Sequence, residues 1–129
     1  MGNEKHPRLG LLALTFLALL ISACARPDAL SAPDEEPLVR GPIASITTHA
    51  TGTGILVEAG PGSREPCGIL ATADAETRYL RRTGAGTLLQ AELADLAVGD
   101  TVEVYVEGPV AESCPVQGYA SAVVLVSSR

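Results

Sequence analysis

Cys67 and Cys114 are the side chains of this chain best able to do chemistry, and a third cysteine, Cys24, stands apart near the amino terminus. Thiolates ligate metals, attack carbon centres or pair as disulfides, and spacing and compartment decide among these roles. Neither Cys67 nor Cys114 belongs to a C-x-x-C pair, and His49 is the one histidine beyond residue 23. A thiol or metal site using both cysteines with His49 therefore has a poor ligand pattern, and no metal and no cofactor are expected. In an exported protein the same pair reads as a structural disulfide. Closing so long a loop is worth about 4 kcal/mol in the chain-entropy model.

Other constellations are thinner. Ser45, Ser63, Ser113 and Ser121 lack a G-x-S-x-G setting, so no catalytic triad is indicated and no catalytic residue is assigned. Glu103 and Glu107 flank Tyr105 at strand alternation and read as a solvated face. His49 lies among Thr47, Thr48 and Thr51 and reads as a solvated residue of a polar turn. Gly84-Ala85-Gly86 follows Arg81-Arg82-Thr83 but lacks the lysine and following helix of a nucleotide loop, which leaves a flexible basic loop. The best candidate binding surface is the loop Glu112-Ser113-Cys114-Pro115-Val116-Gln117, with Glu112, Ser113 and Gln117 as its polar groups. Tyr105 and Tyr119 join it as a small aromatic platform for a sugar or peptide.

The amino terminus locates the protein. Lys5 and Arg8 precede the apolar run Leu11–Ile21, which is too short to span a bilayer and has the layout of a secretory signal peptide. Leu20-Ile21-Ser22-Ala23-Cys24 resembles the lipobox of bacterial lipoproteins. That resemblance implies cleavage before Cys24 and a thioether-linked diacylglycerol, carrying palmitate-type chains, on its sulfur. Two or more acyl chains give a stable membrane anchor where one does not. The implied location is the cell envelope, extracytoplasmic, on the outer membrane or on the outer face of the cytoplasmic membrane. Residues 25–40 are rich in proline and carboxylates and read as a disordered tether, reaching on the order of 25 Å as a coil. The expected division is thus 1–23 signal peptide, 24–40 lipidated cysteine and linker, and 41–129 a folded domain.

That domain must supply the scaffold. The 129-residue chain is 47% hydrophobic but only 3% aromatic, with thirteen glycines and nine prolines. Its length excludes multidomain enzymes and allows one modest core. Seven arginines face fourteen carboxylates beyond residue 23, a net charge of −7 that argues against nucleic acid as a partner. Short strand-like runs fall at 43–48, 55–59, 69–73, 101–107 and 118–127, with Thr51–Gly54 as a turn. Thr77–Leu80 either extends the third run or forms a short strand of its own. Leu89, Leu93 and Leu96 recur at helical spacing and predict a helical turn within 88–96 that plugs one end. The whole is all-β: a small, OB-fold-like five-stranded barrel behind a signal helix and tether.

Val98-Gly99-Asp100-Thr101-Val102-Glu103-Val104, followed by Glu112-Ser113-Cys114-Pro115-Val116-Gln117 and an Ala-rich last strand, resembles the YobA-like domain of unknown function. That domain occurs in small bacterial lipoproteins and secreted proteins; the resemblance implies a fold and a location and no activity. The reading that results is a non-enzymatic, envelope-associated binding module, expected to be a monomer, attached to the membrane through Cys24 and recognising a protein, peptide or saccharide. The alternatives are an accessory or inhibitory subunit that lends a sheet edge to an envelope enzyme, and a small hydrolase or metal-binding protein.

Overall fold

The computed structural model describes Gly2 and residues 30–129; Cys24 and the expected signal peptide lie outside the described residues. Seven strands form one sheet: β1 (Val39–His49), β2 (Gly52–Val57), β3 (Ile69–Ala73), β4 (Arg78–Arg82), β5 (Leu88–Gln90), β6 (Thr101–Ala111) and β7 (Val116–Ser127). A 3-10 turn spans Leu93–Asp95. Five strands close a ring in the order β1-β2-β3-β7-β6 and back to β1, every neighbour antiparallel except the β3–β7 pair. This is the expected five-stranded OB-like barrel, with β4 and β5 added along the outside.

The ring closes because its strands alternate. Val102 and Val104 in β6, Ile55 and Val57 in β2, and Ile69 and Ala71 in β3 are fully buried. Val39 and Ile43 from β1, with Ala120, Val123 and Leu125 from β7, complete a core of mostly β-branched side chains. One strand must serve two neighbours for the ring to shut. β1 does so by pairing with β6 from Val39 to Pro42 and with β2 from Ile43 onward. Gly41 is the corner: a Cβ there would collide with the backbone oxygen of Glu58. The Val98-Gly99-Asp100 turn locks against this corner, with Gly99 N–H donating to the Ile43 carbonyl at 2.9 Å. Buried Asp100 accepts from the backbone N–H of Ala97 at 2.9 Å and of Arg129 at 3.0 Å.

β7 is apolar on both sides because both are covered. One edge lies along β6, and the other is shared end to end by β3, over Val116–Tyr119, and β4, over Ala122–Leu125. Outside the barrel, Leu80, Tyr105, Ala122 and Val124 form a second small core against Leu88 and Ala32.

Of the two alternatives for Thr77–Leu80, the separate short strand is the one seen, as β4. Several other expectations differ from what is seen. Gly52 already belongs to β2, so Ala50 and Thr51 alone make the β1–β2 turn. The helical turn is confined to Leu93–Asp95: Leu96 is buried and Leu93 packs on the core, but Leu89 is 49% exposed. Leu88–Gln90 is drawn into strand because the free edge of β4 offers its backbone groups partners. The stretch read as linker is also ordered from residue 30. Arg64 donates to the carbonyls of Glu36 at 3.0 Å and Pro37 at 3.3 Å, Arg78 to that of Ser31 at 3.2 Å, and the Leu38 N–H to that of Val104 at 2.9 Å. The folded unit therefore starts before residue 41, with residues 30–38 laid as a strap over the outer sheet.

Candidate functional site

On the outer face of β1, β2, β3 and the first half of β7 the register aligns side chains across the strands. Thr47 lies opposite Gly54, Gly54 opposite Thr72, and Thr72 opposite Tyr119. One row nearer the β3–β7 end, Leu56, Leu70 and Gln117 are aligned in the same way. Gly54 keeps the middle of this face low, since a side chain there would stand between Leu70 and the His49 imidazole. The result is a shallow groove of about 440 Å³ lined by Thr47, His49, Thr51, Gly54, Leu70 and Thr72.

Two further depressions continue it. A hollow of about 310 Å³ shares His49 and Thr53 with the groove and runs to Asp74 and Tyr79. From there a larger one, about 520 Å³, extends past Asp74, Glu76 and Tyr79 to Glu92 and Leu30. Tyr119 is held at the junction, its hydroxyl donating to Asp74 Oδ1 at 2.7 Å. This bond keeps the Asp74 carboxyl below its ordinary range and raises the Tyr119 phenol. Burial, aided by the Asp74 charge, pushes the Tyr79 phenol up as well.

The residues singled out in the sequence divide between two places. Gln117 and Tyr119 lie on this face, and Glu112 and Ser113 lie in the β6–β7 loop at its rim, where Ser113 Oγ donates to the Pro115 carbonyl at 2.7 Å. Cys67 and Cys114 stand at disulfide distance, with Cα atoms 5.2 Å apart, and join the loop before β3 to the β6–β7 loop.

Tyr105 is elsewhere: it is 5% exposed, inside the second core, and its hydroxyl donates to Glu103 Oε2 at 2.9 Å. Burial first, then that carboxylate, pushes its phenol up to about 12. Glu103 is buried too, and Arg82 reaches its other oxygen at 3.4 Å. The expected platform of Tyr105 with Tyr119, and the solvated face expected of Glu103, are thus both corrected. The β4–β5 hairpin and the strap cover that side of β6, which alternation along β6 alone does not reveal.

Leu70 and Thr72 carry no role in the expectations drawn from the sequence, and Thr47 and Thr51 enter them only as neighbours of His49. The alternation of Leu70 and Thr72 with buried Ile69, Ala71 and Ala73 was the signal that pointed them outward.

No family model, curated protein or solved structure matches this chain. On a five-stranded OB barrel the face of the second and third strands, with the first–second and fourth–fifth loops, is where oligonucleotides and oligosaccharides bind. Here those parts are β2 and β3, the Ala50–Thr51 turn and the loop between β6 and β7.

Proposed function

We propose that this chain is a lipid-anchored, extracytoplasmic binding module of the cell envelope that takes a saccharide on the outer face of β1, β2 and β3 and catalyses no reaction. The observation that carries the reading is the groove of about 440 Å³, where four threonines, Thr47, Thr51, Thr53 and Thr72, and an imidazole surround Leu70 and the bare backbone of Gly54. Hydroxyl groups both donate and accept, and so match the alternating demands of a sugar's hydroxyls. The apolar floor suits a pyranose face, and Tyr119 and Gln117 extend the surface toward the β6–β7 loop. Seven arginines against fourteen carboxylates beyond residue 23 count against the other ligand class of such barrels, oligonucleotides. Anchoring through Cys24 rests on the lipobox-like sequence before it, and the likeness of Val98–Val126 to the YobA-like domain fits a small envelope lipoprotein.

The test is retention of the membrane-extracted protein on purified cell-wall glycan, competed with soluble N-acetylglucosamine oligomers. Retention should fall about tenfold or more in Thr72→Arg, which fills the groove, and stay unchanged in the exposed control Glu58→Gln. Absence of retention by the unaltered protein would sink the saccharide reading, and equal retention by Thr72→Arg would move binding off this face. Intact mass of the same preparation should equal residues 24–129 plus a diacylglycerol-type adduct.

A further inference from the structure

Beyond His49 the depressions reach an aromatic ring. Tyr79, in β4, lines both the hollow of about 310 Å³ and the larger depression of about 520 Å³. It is half-buried and packs, as Leu93 does, against the main core, so the ring is held in place with part of its surface open. Strand alternation puts it there, because Leu80, the next residue, turns the other way into the second core. A ring with an apolar body and a polar tip, already fixed before binding, suits a pyranose face at low entropic cost.

Asp74 lines the same two depressions and is equally fixed. Its Oδ1 accepts from the Tyr119 hydroxyl at 2.7 Å and from the Glu76 N–H at 2.8 Å, while its own N–H donates to Thr77 Oγ1 at 3.0 Å. Buried Thr77 is tied down in turn, donating to the Ala120 carbonyl at 2.8 Å. These bonds bypass Oδ2, which no donor among the described residues engages. An exposed carboxylate oxygen held in this way accepts strongly from a hydroxyl or amide N–H of a ligand.

We propose that Tyr79 and Asp74 form a second sugar-binding point, and that the ligand is a neutral oligosaccharide longer than a disaccharide, laid from the Leu70 groove past His49 to Tyr79. This rests on the saccharide reading of the groove. The groove and the middle hollow share His49 and Thr53, and the hollow and the last depression share Asp74 and Tyr79, so the three adjoin in that order. Each falls within the ~300–1,000 Å³ over which a pocket holds a small ligand, and together they offer more room than a disaccharide fills. Tyr79 meets one ring face, and Asp74 Oδ2 accepts from a hydroxyl or acetamido N–H of the neighbouring unit. Charge sets the class of sugar. Asp74, Glu76 and Glu92 line the last depression with Arg78, whose guanidinium is bonded to the Ser31 carbonyl. Carboxylated or phosphorylated glycans are repelled there.

The experiment is calorimetric titration of the membrane-extracted protein with the N-acetylglucosamine disaccharide and hexasaccharide, with a melting curve for every variant. The hexasaccharide should bind about tenfold more tightly than the disaccharide. Asp74→Asn, which exchanges the open acceptor for a donor, and Tyr79→Leu, which keeps apolar packing without the ring, should each bring the hexasaccharide toward the disaccharide's affinity. Tyr79→Phe should keep the advantage, and an oligogalacturonide of equal length should not bind. Failure of both N-acetylglucosamine oligomers to bind would overturn the saccharide reading and this extension together. Equal affinity for the two lengths would overturn the extension and leave the groove standing. An advantage undiminished in Asp74→Asn and in a folded Tyr79→Leu would remove these residues as the second point; if Tyr79→Leu does not fold, Asp74→Asn decides alone. Oligogalacturonide binding as tight as the hexasaccharide's would overturn the neutral ligand.

Discussion

Tyr105 shows how far a residue's role depends on what lies across from it. Its ring is inside a small apolar cluster, and its hydroxyl is engaged by a carboxylate that is itself held by Arg82. Ionising that phenol would place a second negative charge beside Glu103 in a desolvated spot, which is why its titration moves up to about 12. The folded state binds this proton more tightly than the unfolded chain, whose tyrosines titrate near 10. Stability contributed by Tyr105 is therefore complete below pH ~10 and is lost as the pH rises from there toward 12. Tyr79 and Tyr119 are raised too, so ultraviolet titration of the native protein should show no tyrosine at the ordinary value. Tyr105→Phe should remove the highest of the three transitions and flatten the loss of melting temperature above pH ~10.

At the scale of elements, the bend of β1 decides whether there is a barrel. The strand passes from β6 to β2 within three residues, and Gly41 sits where the backbone of Glu58 comes too close for any side chain. Gly41→Ala should destabilise by about 2 kcal/mol or more, because the neighbour that must give way is backbone. Denaturant unfolding measures this directly; a loss under about 0.5 kcal/mol would mean that the corner is pliable. The β4–β5 hairpin shows the opposite dependence. Its residues have only moderate strand character, and β4 forms along the stretch of β7 that β3 leaves free. The leucine spacing that suggested a helix survives in Leu93 and Leu96 alone, since an unpaired strand edge competes successfully for Leu88–Gln90.

Across the whole molecule, the parallel β3–β7 pair is the seam that closes the ring, and Cys67 and Cys114 lie just before the first residues of that seam, Ile69 and Val116. A cross-link there shortens the search for one of the barrel's two long-range pairings, the other being β1 with β6, as well as restricting the unfolded chain. Reduction should cost up to about 4 kcal/mol, which for a domain of this size lowers the melting temperature by on the order of 15 °C. Amide exchange should accelerate first along β3 and β7 rather than along the β1–β2 hairpin, whose two-residue turn holds it locally. A melting temperature that ignores reduction would show that the packed core alone keeps the seam shut.

Strand alternation and glycine and proline punctuation, with the likeness of Val98–Val126 to a known small domain, predict an all-β barrel with five ring strands, and the two distant cysteines expected to pair stand at disulfide distance. Those signals are local or compositional, and each strand's inward face is written in its own residues. Polar segments between strands are legible in the same way, and Glu112, Ser113 and Gln117 lie in or beside one of them. What alternation cannot tell is whether an outward face meets water or another layer. Tyr105 and Glu103 face outward from the barrel and are buried all the same, because β4, β5 and residues 30–38 fold back over them. The groove at Thr47, His49 and Thr72 arises only when three strands are set in register, since its residues are separated by turns and loops in the chain. Burial and juxtaposition are properties of pairs of segments distant in sequence, so the tertiary structure alone decides them.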